Sequence, residues 1–181
     1  LMRQALAQAL HHAQHRAAFG RRLIEQPLMQ NVLADLALES EAATALMLRL
    51  AGAFEAPADS AERAFARIAT AAAKYWVCKR TPQAIGEAME CLGGAGYVEE
   101  SILPRLYREA PVNAIWEGSG NIMCLDVLRA VVREPECVPA LLDEIKLARG
   151  GDRRLDAWTA QLEVELLDPA VYAHPQGRPR R

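Results

Sequence analysis

Apolar residues recur every three or four positions over long stretches of this chain, which is the period of a helix and not of a strand. Leu28, Val32, Leu36, Ala43, Met47 and Leu50 form one row, and Met29, Leu33 and Ala37 a second, with Asn31, Asp35 and Glu39 on the wet side. Pro27 suits the first turn of that helix, where no N–H is needed, and it is predicted to reach about Gly52. The run APADS breaks it, and Asp59 or Ser60 can cap the next helix. Phe65, Ile68, Ala72 and Trp76 keep the same spacing, Pro82 is expected to kink the helix, and Ile85, Ala88, Met89 and Leu92 resume the row. Residues 1–18, with Leu6 and Leu10 on one side, read as a helix that stops near Phe19-Gly20. Residues 21–26 form an Arg-rich connection and 98–110 a short helix and loop. A further helix runs from about Ser119 to Pro135, with Ile122, Leu125, Leu128 and Val132 inward. Two amphipathic segments, 137–148 and 152–167, flank Gly150-Gly151. No strand-like alternation and no repeat interrupts this pattern. The predicted fold is all-α: an up-down four-helix bundle with extra C-terminal helices. It divides into a bundle over 1–133, an added helical segment over 134–167, and a flexible tail over 168–181.

Composition agrees. Hydrophobic residues make up 51% of the chain but aromatics only 6%, and Ala-rich sequence of this kind favours close-packed helices over sheet. A net charge of −2 gives no global field toward nucleic acid or membrane, although Arg178, Arg180 and Arg181 make the tail basic. Cys78, Cys91, Cys124 and Cys137 form no CxxC pair and no Cys/His cluster, so no metal site is expected. Isolated thiols suit a reducing, cytoplasmic compartment. No apolar run approaches the roughly 20 residues of a membrane span. The chain opens on Leu1 in sequence already helical in character, so it is expected to begin inside a larger protein.

Three places do not read as ordinary bundle sequence. In HRAAFGRR, Arg16 stands at a helix end before Phe19-Gly20; it either presents a cation to an anion or marks a plain helix stop. In LGGAGY, Gly93, Gly94 and Gly96 either admit a ligand to the backbone or make a tight reversal. In WEGSGN, Glu117 lies just ahead of a helix start. The helix dipole there favours its ionised form, while Trp116 would exclude water and favour the neutral one. Such a carboxylate is either a general base or a capping group.

In this order and spacing, RxxFG, LGGxGY and WEGSGNI resemble the acyl-CoA dehydrogenase family over about residues 1–133. The resemblance implies a C-terminal helical bundle of a tripartite enzyme, with an N-terminal helical domain and a β-barrel elsewhere, assembled as a homodimer or homotetramer. It implies FAD as cofactor and acyl-CoA as substrate. It implies that Arg16 reaches the adenosine-diphosphate part of FAD in a neighbouring subunit, with Phe19 and Gln26 nearby, and that Gly93 and Gly94 lie along the same part. Glu117 would remove the α-proton while a hydride leaves the β-carbon for the flavin. Gly118 would lie against the substrate, and Ser119, Gly120 and Asn121 along the FAD. Glu90 departs from the family's usual Gln before the glycine turn. PVNAIWEGSGNIMCLDVLR is most similar to the AidB branch, adaptive-response proteins with an added helical segment, weak turnover and DNA as a partner. A helical interaction module with no site remains the third reading.

Overall fold

The structure is a computed structural model that describes residues 1–56 and 58–168. Its elements in order are α1 (Met2–His15), a two-stranded ribbon β1 (Ala17–Ala18) and β2 (Arg21–Arg22), a 3-10 turn (Leu23–Glu25), α2 (Pro27–Glu55) and α3 (Ser60–Leu92). There follow α4 (Gly94–Tyr97), α5 (Leu103–Glu109), a second 3-10 segment (Ala110–Ala114), α6 (Gly120–Arg133), α7 (Cys137–Lys146) and α8 (Arg153–Leu167). The all-α architecture is the one the periodicity predicts. The expected flexible tail lies outside the described residues from 169 onward, and with it the three basic residues.

The chain forms two compact units. Among the described residues, the first comprises 1–48 and 74–120, and the second 49–73 and those from 121 onward. In the first, α1 presents Met2, Ala5, Leu6, Ala9 and Ala13, which share one helical face. This row packs with Leu33 and Leu36 of α2, with Ile85, Ala88 and Cys91 of α3, and with Leu103 and Leu106 of α5. In the second, Phe65, Ala66 and Ala69 pack with Ala53, and Ala64 and Ile68 with Ala130 and Cys137. Small alanines at these contacts let the helix backbones approach closely, as the composition anticipates.

The second unit also carries a dense set of ion pairs. The Arg49 guanidinium donates to Glu144 from Nε and Nη2 at 2.8 Å each, to Glu62 from Nη1 at 2.7 Å, and lies 4.2 Å from the centre of the Phe65 ring. Arg67 donates to Asp126 and to Glu134, each at 2.9 Å. These carboxylates hold both guanidinium groups above their ordinary basicity. Lys146 on α7 reaches Glu163 on α8 at 2.6 Å. Of the two caps the sequence offers for α3, Asp59 acts, its Oδ1 accepting from the N–H of Ala61 at 2.8 Å; Asp152 caps α8 by accepting from the N–H groups of Arg154 and Leu155.

Four expectations are corrected. First, α1 ends at His15, and the segment expected to finish that helix is an antiparallel ribbon pairing Ala17 with Arg22 and Ala18 with Arg21. Phe19 (φ 53°) and Gly20 (φ 81°) form its two-residue turn. Two left-handed residues in succession match the twist of a tight hairpin, so Gly20 reverses a ribbon and does not cap a helix. Strands two residues long cannot display alternation. Second, on α2 Leu28 and Met47 of the first row are exposed, Leu28 to 80%, whereas Leu33 of the second row is buried. Steps of four drift by about 40° each on a helix of 3.6 residues per turn, so the buried row is Leu33, Leu36, Ser40 and Ala53. Third, Ala130 is the buried hydrophobic side chain of α6, with Val127 and Val131 packed beside it, while Ile122, Leu125 and Val132 face out. Fourth, Ala72 on α3 is exposed. As for the cysteines, Cys91 and Cys137 are buried, Cys78 is half-buried and Cys124 is exposed. Burial pushes the first three thiols up, away from thiolate. No helix among the described residues is long and apolar enough to cross a membrane.

Replacing Arg49 with Met keeps much of its stem but leaves Glu62 and Glu144 facing one another unneutralised. The expected cost is about 1–3 kcal/mol, discounted for partial exposure, read as a lower urea midpoint at unchanged slope. An unchanged midpoint would show the fork to be solvent-balanced.

Candidate functional site

The glutamate turn begins where the second 3-10 segment ends. The N–H groups of Ile115 and Trp116 both donate to Val112 O at 3.0 Å, closing the chain before Glu117. Glu117 then takes φ 53° and Gly118 φ 115°, and α6 starts at Gly120. Left-handed backbone costs a residue with a Cβ roughly 1–3 kcal/mol when strained in this way. Among the described residues only Phe19 and Glu117 do so without being glycine.

What holds the turn is α3. Lys74 Nζ donates to Trp116 O at 2.5 Å and to Gly118 O at 3.0 Å, one carbonyl on each side of Glu117. Immediately beyond, a Cβ on Gly120 would stand 2.9 Å from Lys79 Cε and 3.1 Å from Tyr75 Cε2, so a side chain there would have to push the lysine stem and the tyrosine ring aside. The Glu117 side chain is exposed. Trp116, expected to dry the carboxylate, has its ring more than half exposed, so this chain alone does not supply that cover. Ser119 and Asn121 are exposed and Gly120 is buried. Gly120 therefore has a packing reason of its own and lies along α3.

The three glycines of the second motif have three different situations. Gly93 takes φ 59°, the left-handed end of α3, with its N–H on Glu90 O at 3.0 Å. A Cβ on Gly96 would stand 2.3 Å from Met89 O, a backbone atom that cannot step aside. Nothing lies within 4 Å of a Cβ built on Gly94, so the fold does not require glycine there. Glu90 is exposed on the last turn of α3.

At the ribbon, Phe19 is 99% exposed at the tip, and Arg16 is exposed where α1 gives way to extended chain. Arg16 O accepts the Leu23 N–H at 2.9 Å. Gln26 Nε2 donates to Ala18 O at 3.3 Å, so this amide braces the ribbon. His11 and His15 stack with ring centres 4.4 Å apart. His12 is held below its ordinary basicity, first by burial and then by the charges of Arg16 and His11.

The structure thus gives three local clusters. All their residues belong to the first unit except Asn121, which opens the second. The motifs do not reveal Lys74. Its only trace in sequence is a lone cation in the Ala-rich run AAAKYW, on a helix face that is otherwise packed. Among the described residues no group of three or more metal-ligating side chains exists.

An all-helical unit carrying a braced glutamate turn and a glycine turn defines a class that the comparisons identify. The family model for the C-terminal domain of acyl-CoA dehydrogenases matches residues 1–132, and the chain belongs to that family. It is 50% identical over 170 residues to AidB of Escherichia coli (strain K12), described as a candidate acyl-CoA dehydrogenase; the match takes in 94% of this chain and 31% of that protein. It is 33% identical to the human mitochondrial short-chain specific acyl-CoA dehydrogenase, over 71% of this chain and 30% of the relative. In three dimensions it matches Caenorhabditis elegans ACDH-11 in complex with C11-CoA with a TM-score of 0.86 and 26% identity, covering 99% of this chain and 32% of that one. Butyryl-CoA dehydrogenase from Megasphaera elsdenii gives a TM-score of 0.64 at 26% identity, over 73% of this chain and 33% of that one. The chain spans about a third of the length of these relatives.

The glycine geometry predicts opposite outcomes for two similar substitutions. Gly96→Ala should lower stability by about 1–3 kcal/mol through overpacking, whereas Gly94→Ala should leave the melting temperature nearly unchanged. Equal losses for both would remove the distinction.

Proposed function

We propose that the chain is the C-terminal domain of an FAD-dependent enzyme that introduces the α,β double bond into an acyl-CoA thioester, with Glu117 as the base. The observation that carries this reading is the backbone at Glu117: a left-handed, strained position pinned from both sides and set just before a helix start. Strain of this kind persists only where the surroundings over-determine it, and it concentrates at functional sites.

The residues fit the adenosine side of FAD. Gly94 has an open face, Gly93 turns the chain beside it, and Ser119 and Asn121 are exposed. Arg16 and Phe19 are exposed beside and at the tip of the ribbon, and in this reading they reach a cofactor held by another subunit. FAD, when bound, supplies the acceptor for the β-hydride. Glu117 takes the α-proton onto its carboxylate, and Gly118, with no side chain, leaves room beside it for the thioester. Homodimeric or homotetrameric assembly is part of this reading, supported by the apolar side chains left outside, among them Leu28, Leu48, Phe54 and Val132. A cytoplasmic setting suits the four free thiols.

A second reading is favoured by the 50% identity to AidB over 94% of the chain: a flavoprotein of that branch with little turnover and DNA as a partner. Phosphate-driven binding to any duplex should then weaken steeply with salt. A flat salt dependence of duplex binding argues against it.

In the flavin-loaded full-length protein, Glu117→Gln should leave flavin bound and slow anaerobic bleaching by an acyl-CoA about 10²–10⁴-fold or more. Equal bleaching in both proteins would move the base elsewhere. No bleaching in either favours the second reading.

A further inference from the structure

We propose that Lys74 is the positioning residue that fixes Glu117 for proton abstraction; the inference rests on the reading of Glu117 as the base. Lys74 lies on α3, far in sequence from the glutamate turn and outside all three motifs. Its single Nζ takes the carbonyl oxygens of Trp116 and Gly118 at 2.5 and 3.0 Å. The four soft torsions between those carbonyls, φ and ψ of Glu117 and of Gly118, are thereby closed into one ring through the ammonium. Both residues have positive φ, so the ring stabilises the conformation that a glutamate would otherwise leave.

The chemistry of the clamp calls for this side chain. Two carbonyls can only accept, so the brace must donate, and it must donate twice to a small region of space. A lysine ammonium is a compact charge with three rotatable donors. On the far side of the turn, Tyr75 and Lys79 seat Gly120, which fixes the chain again three residues after Glu117. The Glu117 Cα is therefore held between the two carbonyls that Lys74 grips, and the Tyr75/Lys79 seat of the same helix fixes the chain again beyond them. Lys74 touches no reacting atom in this account. It acts through Glu117, because a carboxylate displaced by about 1 Å loses on the order of 100-fold in rate.

The test isolates the proton step in the flavin-loaded full-length protein. A 3-thia-acyl-CoA, with sulfur in place of the β-carbon, can lose its α-proton but cannot transfer a hydride. Its exchange with deuterium from solvent is followed by NMR for wild type, Glu117→Gln, Lys74→Met and Lys74→Arg. The expected result is loss of exchange in the Glu117 variant and a fall of roughly 10–100-fold in Lys74→Met. Flavin content and affinity for the thia-acyl-CoA should stay unchanged, and Lys74→Arg should restore much of the rate because it keeps charge and donors. Wild-type exchange in Lys74→Met, with Glu117→Gln silent, overturns the role of Lys74 and leaves the base in place. Wild-type exchange in Glu117→Gln overturns the base and this inference with it. An arginine variant no faster than the methionine one overturns the clamp. Should Lys74→Met lose flavin, Lys74→Gln replaces it. A rate that then falls only in proportion to lost flavin makes Lys74 merely structural and overturns the proposal.

Discussion

The long helix α3 is the constraint on which the cores of both compact units and the glutamate turn depend. From Ser60 to Leu92 it runs without interruption through Pro82. The carbonyl that proline leaves without a donor belongs to Cys78, and just before it Thr81 Oγ1 donates to Val77 O at 2.7 Å. Within the second unit α3 supplies Phe65, Ile68 and the Arg67 fork. Within the first it supplies Ile85, Ala88, the Lys74 clamp and the seat for Gly120, and its last turn delivers the glycine motif. A break in this one helix would uncouple residues that are distant in sequence but act at one turn.

Strain and bracing are paired at both left-handed non-glycine positions. Phe19 sits in a turn whose next residue is glycine, and Gln26 braces the ribbon through Ala18 O. Glu117 is likewise followed by a glycine, and Lys74 is its brace. In both places the residue with the awkward backbone projects an exposed side chain, 99% exposed in the case of Phe19. A chain folding for its own stability gains nothing from presenting an aromatic ring to water on strained backbone. The arrangement is reasonable where the ring meets something outside the chain, and the proposed neighbouring cofactor is of that kind.

Helix existence was legible in sequence because the apolar period, the caps and the breakers agree: Asp59, Pro27 and Gly150-Gly151 all act where they stand. Helix facing was less so. Ala-rich helices present several apolar rows of similar strength, and only the partner decides which row is buried, as Leu33 against Leu28 shows. The ribbon at Arg16–Arg22 was invisible because two-residue strands carry no period. The motif residues were legible as a set. The reasons for individual members were not: Gly96 and Gly120 answer to Met89 and to Tyr75 and Lys79, contacts that no spacing rule contains. Lys74 was beyond reach for the same reason, since its partners are backbone carbonyls some 40 positions away.

The segment α7–α8 separates two levels of kinship. The ACDH-11 match covers 99% of the chain, whereas the butyryl-CoA dehydrogenase match covers 73%. The segment is fastened by buried Cys137, Val138 and Leu142, by Ala140 and Leu141 beside Phe65, and by two directional contacts, Glu144 to Arg49 and Lys146 to Glu163. All of these belong to the second unit, while the glutamate turn and the glycine turn belong to the first. Ion pairs at fixed geometry specify how a segment docks even where each is worth little in net stability. A family can therefore gain or lose such an attachment while the residues around Glu117 stay under a separate set of constraints. The contacts that fasten the added segment are therefore separate from those that brace the glutamate turn.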